Sequence, residues 1–505
     1  MKKAKQGTPT LGHAHLRAKG TPHNLRMQQK KVDSYAFNLR MQEFGSISSV
    51  GDGIIWIQGL PSAAIDEILI VEDGSRAMVF HLTEHLIGAI LLEQSDVIKA
   101  SMRVFHYSRS LSIPVGDRLL GRVIDPLVQP LDGFEIPQCL EYGLLDVLSP
   151  PITHRDFINQ PLYTGNKIID NLIPIGKGQR ELIIGDNGLG KSSLALDIVI
   201  NQKNKNVRCI YVLIGQKRSS VLTSIQLLKD AQALEYTTVV VAEASALPGL
   251  HYLAPFSGCA IAEYWMKTGY DTLIIYDDLS AHANSYRELS LLLRQPPGRE
   301  AFPADIFHLH ARLLERSSCL APELGGGTMT AFPIIETKEG EIATYIPTNL
   351  ISITDGQIIF NEQLFSGGFL PAIDITRSVS RIGGRAQHPQ IKREASKIKL
   401  DYMQFIDLEV FTRFGSKLDE AMELQVQRGR ILREILKQNQ LSPLPIEFQL
   451  AWLIGYNEGF FNGIKLDELP KYLKKIEQQV SHCDLTLDSP REQWKNKVFT
   501  WLTES

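Results

Sequence analysis

The stretch from Glu181 to Leu194 restricts the possible folds more than any other. Leu182, Ile183 and Ile184 form a short apolar run with the length of a buried strand. Gly185-Asp186-Asn187-Gly188-Leu189-Gly190-Lys191-Ser192 follows, and Ser193-Leu194-Ala195-Leu196 opens a run of good helix formers. The octapeptide fits G-x-x-x-x-G-K-S/T in the strand–loop–helix context that gives the pattern its meaning. Its glycines let successive backbone N–H groups point at an anion, and the helix N-terminus adds partial positive charge. Lys191 is placed to reach the β- and γ-phosphates of a nucleotide, and the Ser192 hydroxyl to hold Mg²⁺. A chance glycine turn before a helix is the plain alternative. The lysine, the serine and the flanking strand argue together against it.

A chain of 505 residues is too long for one ordinary core, so two to four domains are expected. With 44% apolar and 22% charged residues and a net charge of −3, nothing draws the whole chain toward nucleic acid or anionic lipid. The five cysteines are odd in number, scattered and without a CxxC, which fits reduced thiols and neither a disulfide frame nor a zinc site. No apolar run approaches a membrane span, and the basic start lacks the apolar core of a secretory signal.

Residues 1–45 are polar and carry nine Lys/Arg against two acidic residues, as expected of a mobile arm or docking segment. Within them Asn24-Leu25-Arg26-Met27-Gln28 recurs at Asn38-Leu39-Arg40-Met41-Gln42, one short duplication and no repeat architecture. Residues 46–113 change to short strands, centred on Ile54–Ile57, Glu67–Val71, Ala77–Phe80, Ile87–Leu91 and Arg103–Tyr107, with turns between them. Even spacing of short strands predicts a small closed β-barrel. Its aromatics Trp56, Phe80, Phe105 and Tyr107 are accompanied by few basic residues, which points to packing or assembly over single-strand binding.

Residues 114–388 alternate apolar strands with longer helical stretches, the pattern of a mostly parallel sheet covered by helices. Thr272-Leu273-Ile274-Ile275-Tyr276-Asp277-Asp278 is an apolar strand ending in acid. Ligands in such sheets gather at strand carboxyl ends, so Asp277 is expected beside the phosphate loop, holding the hydration shell of Mg²⁺. A turn or a helix cap is the blander reading of an Asp at a strand end. Residues 389–505 are helical by pattern, through Gln390–Arg413, Leu418–Gln438, Ile446–Gly459 and Lys471–Val480.

Beyond the phosphate loop, several segments resemble the alpha subunit of F-type ATP synthase. They are Ile214–Ser219, Leu273–Ser280, Pro296–Glu300, Phe307–Arg316, Gly325–Gly327, Tyr345–Gln357 and Ser378–Gly383. The resemblance runs from about residue 46 to about residue 465. It implies an N-terminal β-barrel of the six-stranded type, a central phosphate-loop domain and a C-terminal helical bundle. It also implies an alternating ring of three alpha and three beta subunits around a central gamma shaft, with a peripheral stalk. Such a ring lies at the cytoplasmic face of the bacterial membrane and touches it only through the ion-translocating sector. The implied cofactors are ATP or ADP and Mg²⁺, with no nucleic-acid partner.

In the family, beta subunits carry the catalytic sites and alpha subunits hold a nucleotide that is not turned over. Where the catalytic relatives place a glutamate, this chain has Gln216. An amide can hydrogen-bond a water but cannot take its proton. Because some NTPases position water with a glutamine, Gln216 alone leaves catalysis open. The resemblance further implies that Arg381 is an arginine finger reaching the γ-phosphate in the neighbouring beta subunit, with Ser352 and Ser378 near the same interface. Gln438 and Gln440 match positions near the adenine of this chain's own site.

The sequence departs from the family in four places. Asn187, Gly188 and Leu189 stand for Arg-Gln-Thr in the loop, and Ser192 stands for Thr. Gln295 replaces an arginine, Arg385 adds a charge beyond the finger, and residues 1–45 lack the usual amphipathic docking helix. Three rivals remain at this stage. A catalytic homohexameric export-type ATPase needs the glutamate that Gln216 replaces. An RNA-translocating hexamer of the transcription-termination type needs a basic, aromatic barrel. A purely structural nucleotide-binding subunit has no use for Arg381.

Overall fold

A computed structural model of the chain describes residues 43–503 except 94, 96, 109 and 414–419. The basic segment through residue 42, with its duplicated pentapeptide, lies outside the described residues.

Six strands, β1 (Phe44–Gly51), β2 (Ile54–Gly59), β3 (Ile68–Val71), β4 (Arg76–Leu82), β5 (Ile87–Leu91) and β6 (Arg103–Ser108), close a barrel in the order β1-β2-β5-β4-β3-β6. The pattern foretold the last five. β1 begins inside the segment expected to be a tail, because only Ile47 is a large apolar residue facing inward on it. Its place rests on antiparallel pairing with β2 and β6, which no side-chain pattern announces. Alternation then gives the barrel two apolar surfaces. Ile55, Ile57, Leu69, Val79, Ala89 and Val104 fill the interior, while Ile54, Ile68, Met78 and Ile90 face outward into the core of the central domain.

After β7 (Ser112–Val115), β8 (Val123–Ile124) and β9 (Glu141–Leu144) come the strands of the main sheet. These are β10 (Leu182–Asp186), β11 (Val207–Gln216), β12 (Thr237–Glu243), β13 (Asp271–Asp277), β14 (Thr328–Thr337), β15 (Gly356–Ile359) and β16 (Val379–Ser380). The order is β16-β15-β10-β14-β13-β11-β12-β8, parallel throughout except for β16. β10 pairs with β14 and β15, so the chain leaving it crosses two strands before β11 resumes the sheet. That reversal is the switch point at which a ligand crevice opens.

The C-terminal helices Pro389–Arg413, Glu420–Leu436, Ile446–Asn457, Leu469–Ser481 and Arg491–Thr503 share one apolar core with the phosphate-loop side of the sheet, through Ile168, Phe360, Phe448 and Trp452. The fifth helix was not foreseen, although Trp494, Val498 and Trp501 recur at helical spacing and are buried. Among the described residues no helix is long and apolar enough to cross a membrane.

The Gly325-Gly326-Gly327 run has a packing cause. A Cβ on Gly327 would lie 2.1 Å from the carbonyl oxygen of Met266 and 2.8 Å from that of Tyr270, so neither neighbour can yield without moving backbone. Gly327→Ala is therefore expected to destabilise the chain by roughly 2 kcal/mol or more, whereas Gly51→Ala, with open space at its Cβ, changes stability by less than about 0.5 kcal/mol. Thermal unfolding of the two variants measures the contrast.

Candidate functional site

β10 ends at Asp186, and the chain turns through Gly188 and Gly190, both at positive φ, before helix Lys191–Ile200 begins. Gly190 occupies the N-cap in the left-handed region, which glycine enters without a Cβ penalty. No side chain among the described residues caps this end, so the first N–H groups of the helix open onto a cleft. The cleft has a volume of about 830 Å³. From the loop it is lined by Asn187, Gly188, Gly190, Lys191 and Ser192, and from the strand ends by Gln216, Asp277, Asp278 and Glu336.

The Lys191 ammonium donates to the carbonyl oxygen of Asp186 at 2.7 Å, which arches the loop over its own lysine. Burial pulls the Lys191 pKa below the ordinary lysine value, while Glu336, Asp278, Asp277 and Asp186 oppose that shift. Asp277 is buried at the end of β13 and accepts from the Tyr211 hydroxyl at 3.0 Å and from the Gln216 amide at 3.4 Å. Burial raises its pKa, against hydrogen bonds from Ser192 and Tyr211 and the charge of Lys191. Asp278 caps helix Leu279–Leu292 through the Ala281 N–H at 2.6 Å, and burial pushes its carboxyl up to about 7. The Ser192 hydroxyl thus meets a desolvated carboxylate on the cleft floor, with two further acids close by. This donor set suits a hydrated Mg²⁺ beside a polyphosphate.

Several residues singled out from sequence point elsewhere. The Asp186 carboxylate leaves the cleft to accept from the Thr337 hydroxyl at 2.5 Å and the Gly340 N–H at 2.8 Å, tying the loop to the turn after β14. Gly185 is pressed by β15, since a Cβ there would lie 2.7 Å from the Phe360 Cβ. Leu189 is buried in the core shared with the helical bundle. Gln438 has its amide engaged by the protein, accepting from Lys167 N at 3.0 Å and donating to the carbonyls of Gly165 and Ser442, each at 2.8 Å. It therefore braces the loop that presents Gln440, and Gln440 is exposed and does line the cleft.

Arg381 and Ser352 come together, but away from this cleft. The guanidinium donates to the carbonyls of Thr354 (3.1 Å) and Ile351 (3.3 Å) at the end of helix Tyr345–Ile353, and Ser352 is exposed on the last turn of that helix. Ser378 does not join them. It is buried, and its hydroxyl accepts from the Ile359 N–H at 2.9 Å, holding β15 in place. Arg381 follows β16, whose Ser380 pairs with Gly356 at the start of β15, while Ile359 at the other end of β15 pairs with Ile184 beside the phosphate loop. At about 3.3 Å per residue, the strand alone separates the two ends by roughly 10 Å.

Asp278 and Glu336 were missed in the sequence. The signal that singled out Asp277 also marks Glu336, because β14 is likewise an apolar strand closing on an acid.

Comparison with known proteins bears on this geometry. Residues 165–380 match the ATP synthase alpha/beta family, nucleotide-binding domain, and residues 387–490 match the ATP synthase alpha/beta chain, C terminal domain. The chain is 71% identical over 483 residues to ATP synthase subunit alpha 1 of Legionella pneumophila strain Paris, covering 95% of this chain and 99% of that one. It is 54% identical over 472 residues to ATP synthase subunit alpha 1 of Hahella chejuensis, covering 94% and 95% of the two chains. A phosphate loop at the switch point of a parallel sheet, a closed barrel before it, a helical bundle after it and these identities agree: the chain belongs to the ATP synthase alpha/beta family, as an F-type alpha subunit.

Proposed function

We propose that this subunit binds MgATP in its own cleft without turning it over, and that it lends Arg381 to the catalytic site of an adjacent beta subunit. The observation that carries this reading is the separation of the two features. Arg381 is exposed just after β16, beside the amino end of β15, whereas the phosphate loop follows the carboxyl end of β10, which favours a partner other than the chain's own nucleotide. A planar, permanently charged guanidinium at an open edge suits recognition of phosphoryl oxygens on a neighbour.

Within the cleft, Lys191 and the helix N-terminus neutralise the phosphates, and Gln440 stands at the mouth where a base or ribose enters. Ser192 and Asp277 would hold Mg²⁺, the latter through water, and the ion when bound would neutralise charge on the phosphates. Gln216 donates its amide to Asp277 and has no basic site with which to deprotonate a water. Asp278 is occupied as a helix cap. The nucleotide therefore persists as a structural or regulatory tenant.

Assembly with beta subunits around a central gamma shaft, braced by a peripheral stalk, is part of the same proposal. It is supported by large apolar side chains left exposed between residues 134 and 157, among them Leu140, Leu148, Ile152 and Phe157. Of the barrel aromatics, Trp56 and Phe80 pack against the central domain, whereas Phe44 and Tyr107 are exposed. The ring sits at the cytoplasmic face of the membrane and contacts it through the ion-translocating sector, which supports rotary ATP synthesis or hydrolysis. The domains we assign are residues 44–113, 114–388 and 389–505, the first beginning with β1 at Phe44 instead of at residue 46.

Two outcomes are expected. The isolated chain binds MgATP with negligible turnover, and Lys191→Ala weakens that binding about tenfold or more through loss of a charge-assisted hydrogen bond, as read by fluorescent-nucleotide titration. Robust ATPase activity of the isolated chain would overturn the non-catalytic assignment. In a complex reconstituted with beta and gamma subunits, Arg381→Ala lowers ATPase turnover by about 10³-fold or more while nucleotide binding on this chain stays intact. Unchanged turnover would remove Arg381 from the chemistry.

A further inference from the structure

Three consecutive residues just before β10 converge on the backbone that carries Arg381. Extended chain alternates its side chains, so Gln179 and Glu181 share one face and Arg180 takes the other. On the first face, both amide hydrogens of Gln179 are used: one goes to Glu181 Oε2 at 2.8 Å and one to Ser380 Oγ at 3.0 Å. Gln179 Oε1 accepts from the Gly176 N–H at 2.8 Å. Ser380 in turn donates to the carbonyl oxygen of Pro174 at 2.6 Å. On the second face, Arg180 grips Asp355 through Nε–Oδ2 at 2.9 Å and Nη2–Oδ1 at 2.8 Å, and the Asp355 carbonyl accepts from the Arg381 N–H at 2.8 Å. The residue before the exposed guanidinium is held by a side chain, and Arg381 itself by its backbone.

Glu181 completes the clamp. It is fully buried, and its Oε1 has no hydrogen-bond partner among the described residues. A Cβ on Gly356 would lie 2.5 Å from Glu181 Oε2 and 2.2 Å from the Val379 carbonyl oxygen. The carboxyl is therefore packed flat against the residue that pairs with Ser380. Burial raises its pKa well above the ordinary carboxyl range, against the hydrogen bond from Gln179 and the positive charge of Arg381. It works as a wedge against Gly356 and as the acceptor that orients the Gln179 amide.

We propose that Gln179 and Glu181 are positioning residues for Arg381: they lock Ser380 and the Gly356–Ser380 pairing, and so set where the guanidinium reaches into a neighbouring subunit. The proposal rests on the trans-acting role of Arg381. Displacement of a catalytic group by about 1 Å can reduce a rate about 10²-fold, so a clamp at this point has leverage.

The test uses the complex reconstituted with beta and gamma subunits. Gln179→Leu is expected to lower kcat about ten- to a hundredfold with KM for MgATP changed less than about twofold, because the guanidinium acts as charge develops and not in ground-state binding. Glu181→Ala, which removes both the wedge and the acceptor of the Gln179 amide, is expected to lower kcat in the same way. In an Arg381→Ala background, Gln179→Leu costs nothing further. Full multiplicative loss in the double variant, or a fall in thermal stability with unchanged kcat, would overturn the positioning role. Unchanged turnover in Arg381→Ala alone would instead overturn the trans role on which it rests. Should Gln179→Leu fail to fold, Ser380→Ala removes the hydroxyl that accepts from Gln179 and Gly383 and donates to Pro174, and is held to the same non-additivity.

Discussion

The structure depends on the burial of β10 between β14 and β15. A strand paired on both sides and covered on both faces can neither slip nor tilt, since one residue of slippage would turn every apolar side chain to the wrong face. Its two ends are consequently fixed with respect to each other. The carboxyl end launches the phosphate loop, and the residues just ahead of its amino end hold Ser380 and Asp355. One short apolar strand thereby positions both the phosphate loop and the backbone that carries Arg381.

The cleft at its carboxyl end is governed by a shortage of positive charge. Asp277, Asp278 and Glu336 line it together, with Lys191 the buried cation among them. Burial raises the carboxyl pKa values at Asp277 and Asp278, and lowers that of Lys191. In each case the desolvated form resists its charge until a partner arrives. A divalent cation with a polyphosphate supplies both signs together, which is why a site so unbalanced on its own is well matched to MgATP. At the end of β11 the cleft presents the Gln216 amide, which has no basic site to take a proton from water.

The phosphate loop and the exposed guanidinium thus lie toward opposite ends of β15. Helix Tyr345–Ile353 and β16 bring Ser352 and Arg381 to an open edge, where the guanidinium leans on the carbonyls of Thr354 and Ile351. Those neutral acceptors orient it without neutralising it. Ser378, three residues away in sequence, faces the interior instead, because the short strand β16 begins after it and β15 needs its hydroxyl.

The phosphate loop, the acid-ended strand at Asp277, the five patterned barrel strands and four of the five C-terminal helices were legible from residues alone, since each rests on local periodicity or a contiguous motif. β1 and β16 were not, because they exist through pairing with distant partners and carry almost no apolar pattern of their own. The sequence by itself determined a strand–loop–helix turn of the phosphate-loop pattern at Gly188, Gly190, Lys191 and Ser192, because glycines and a lysine at fixed spacing suffice for that. Only the tertiary structure decided that the Asp186, Leu189, Gln438 and Ser378 side chains serve the scaffold, that Asp278 and Glu336 join the cleft, and that Arg381 faces away from it. Those outcomes follow from strand order and register, which bring together residues from about twenty to more than two hundred positions apart and which no local pattern encodes.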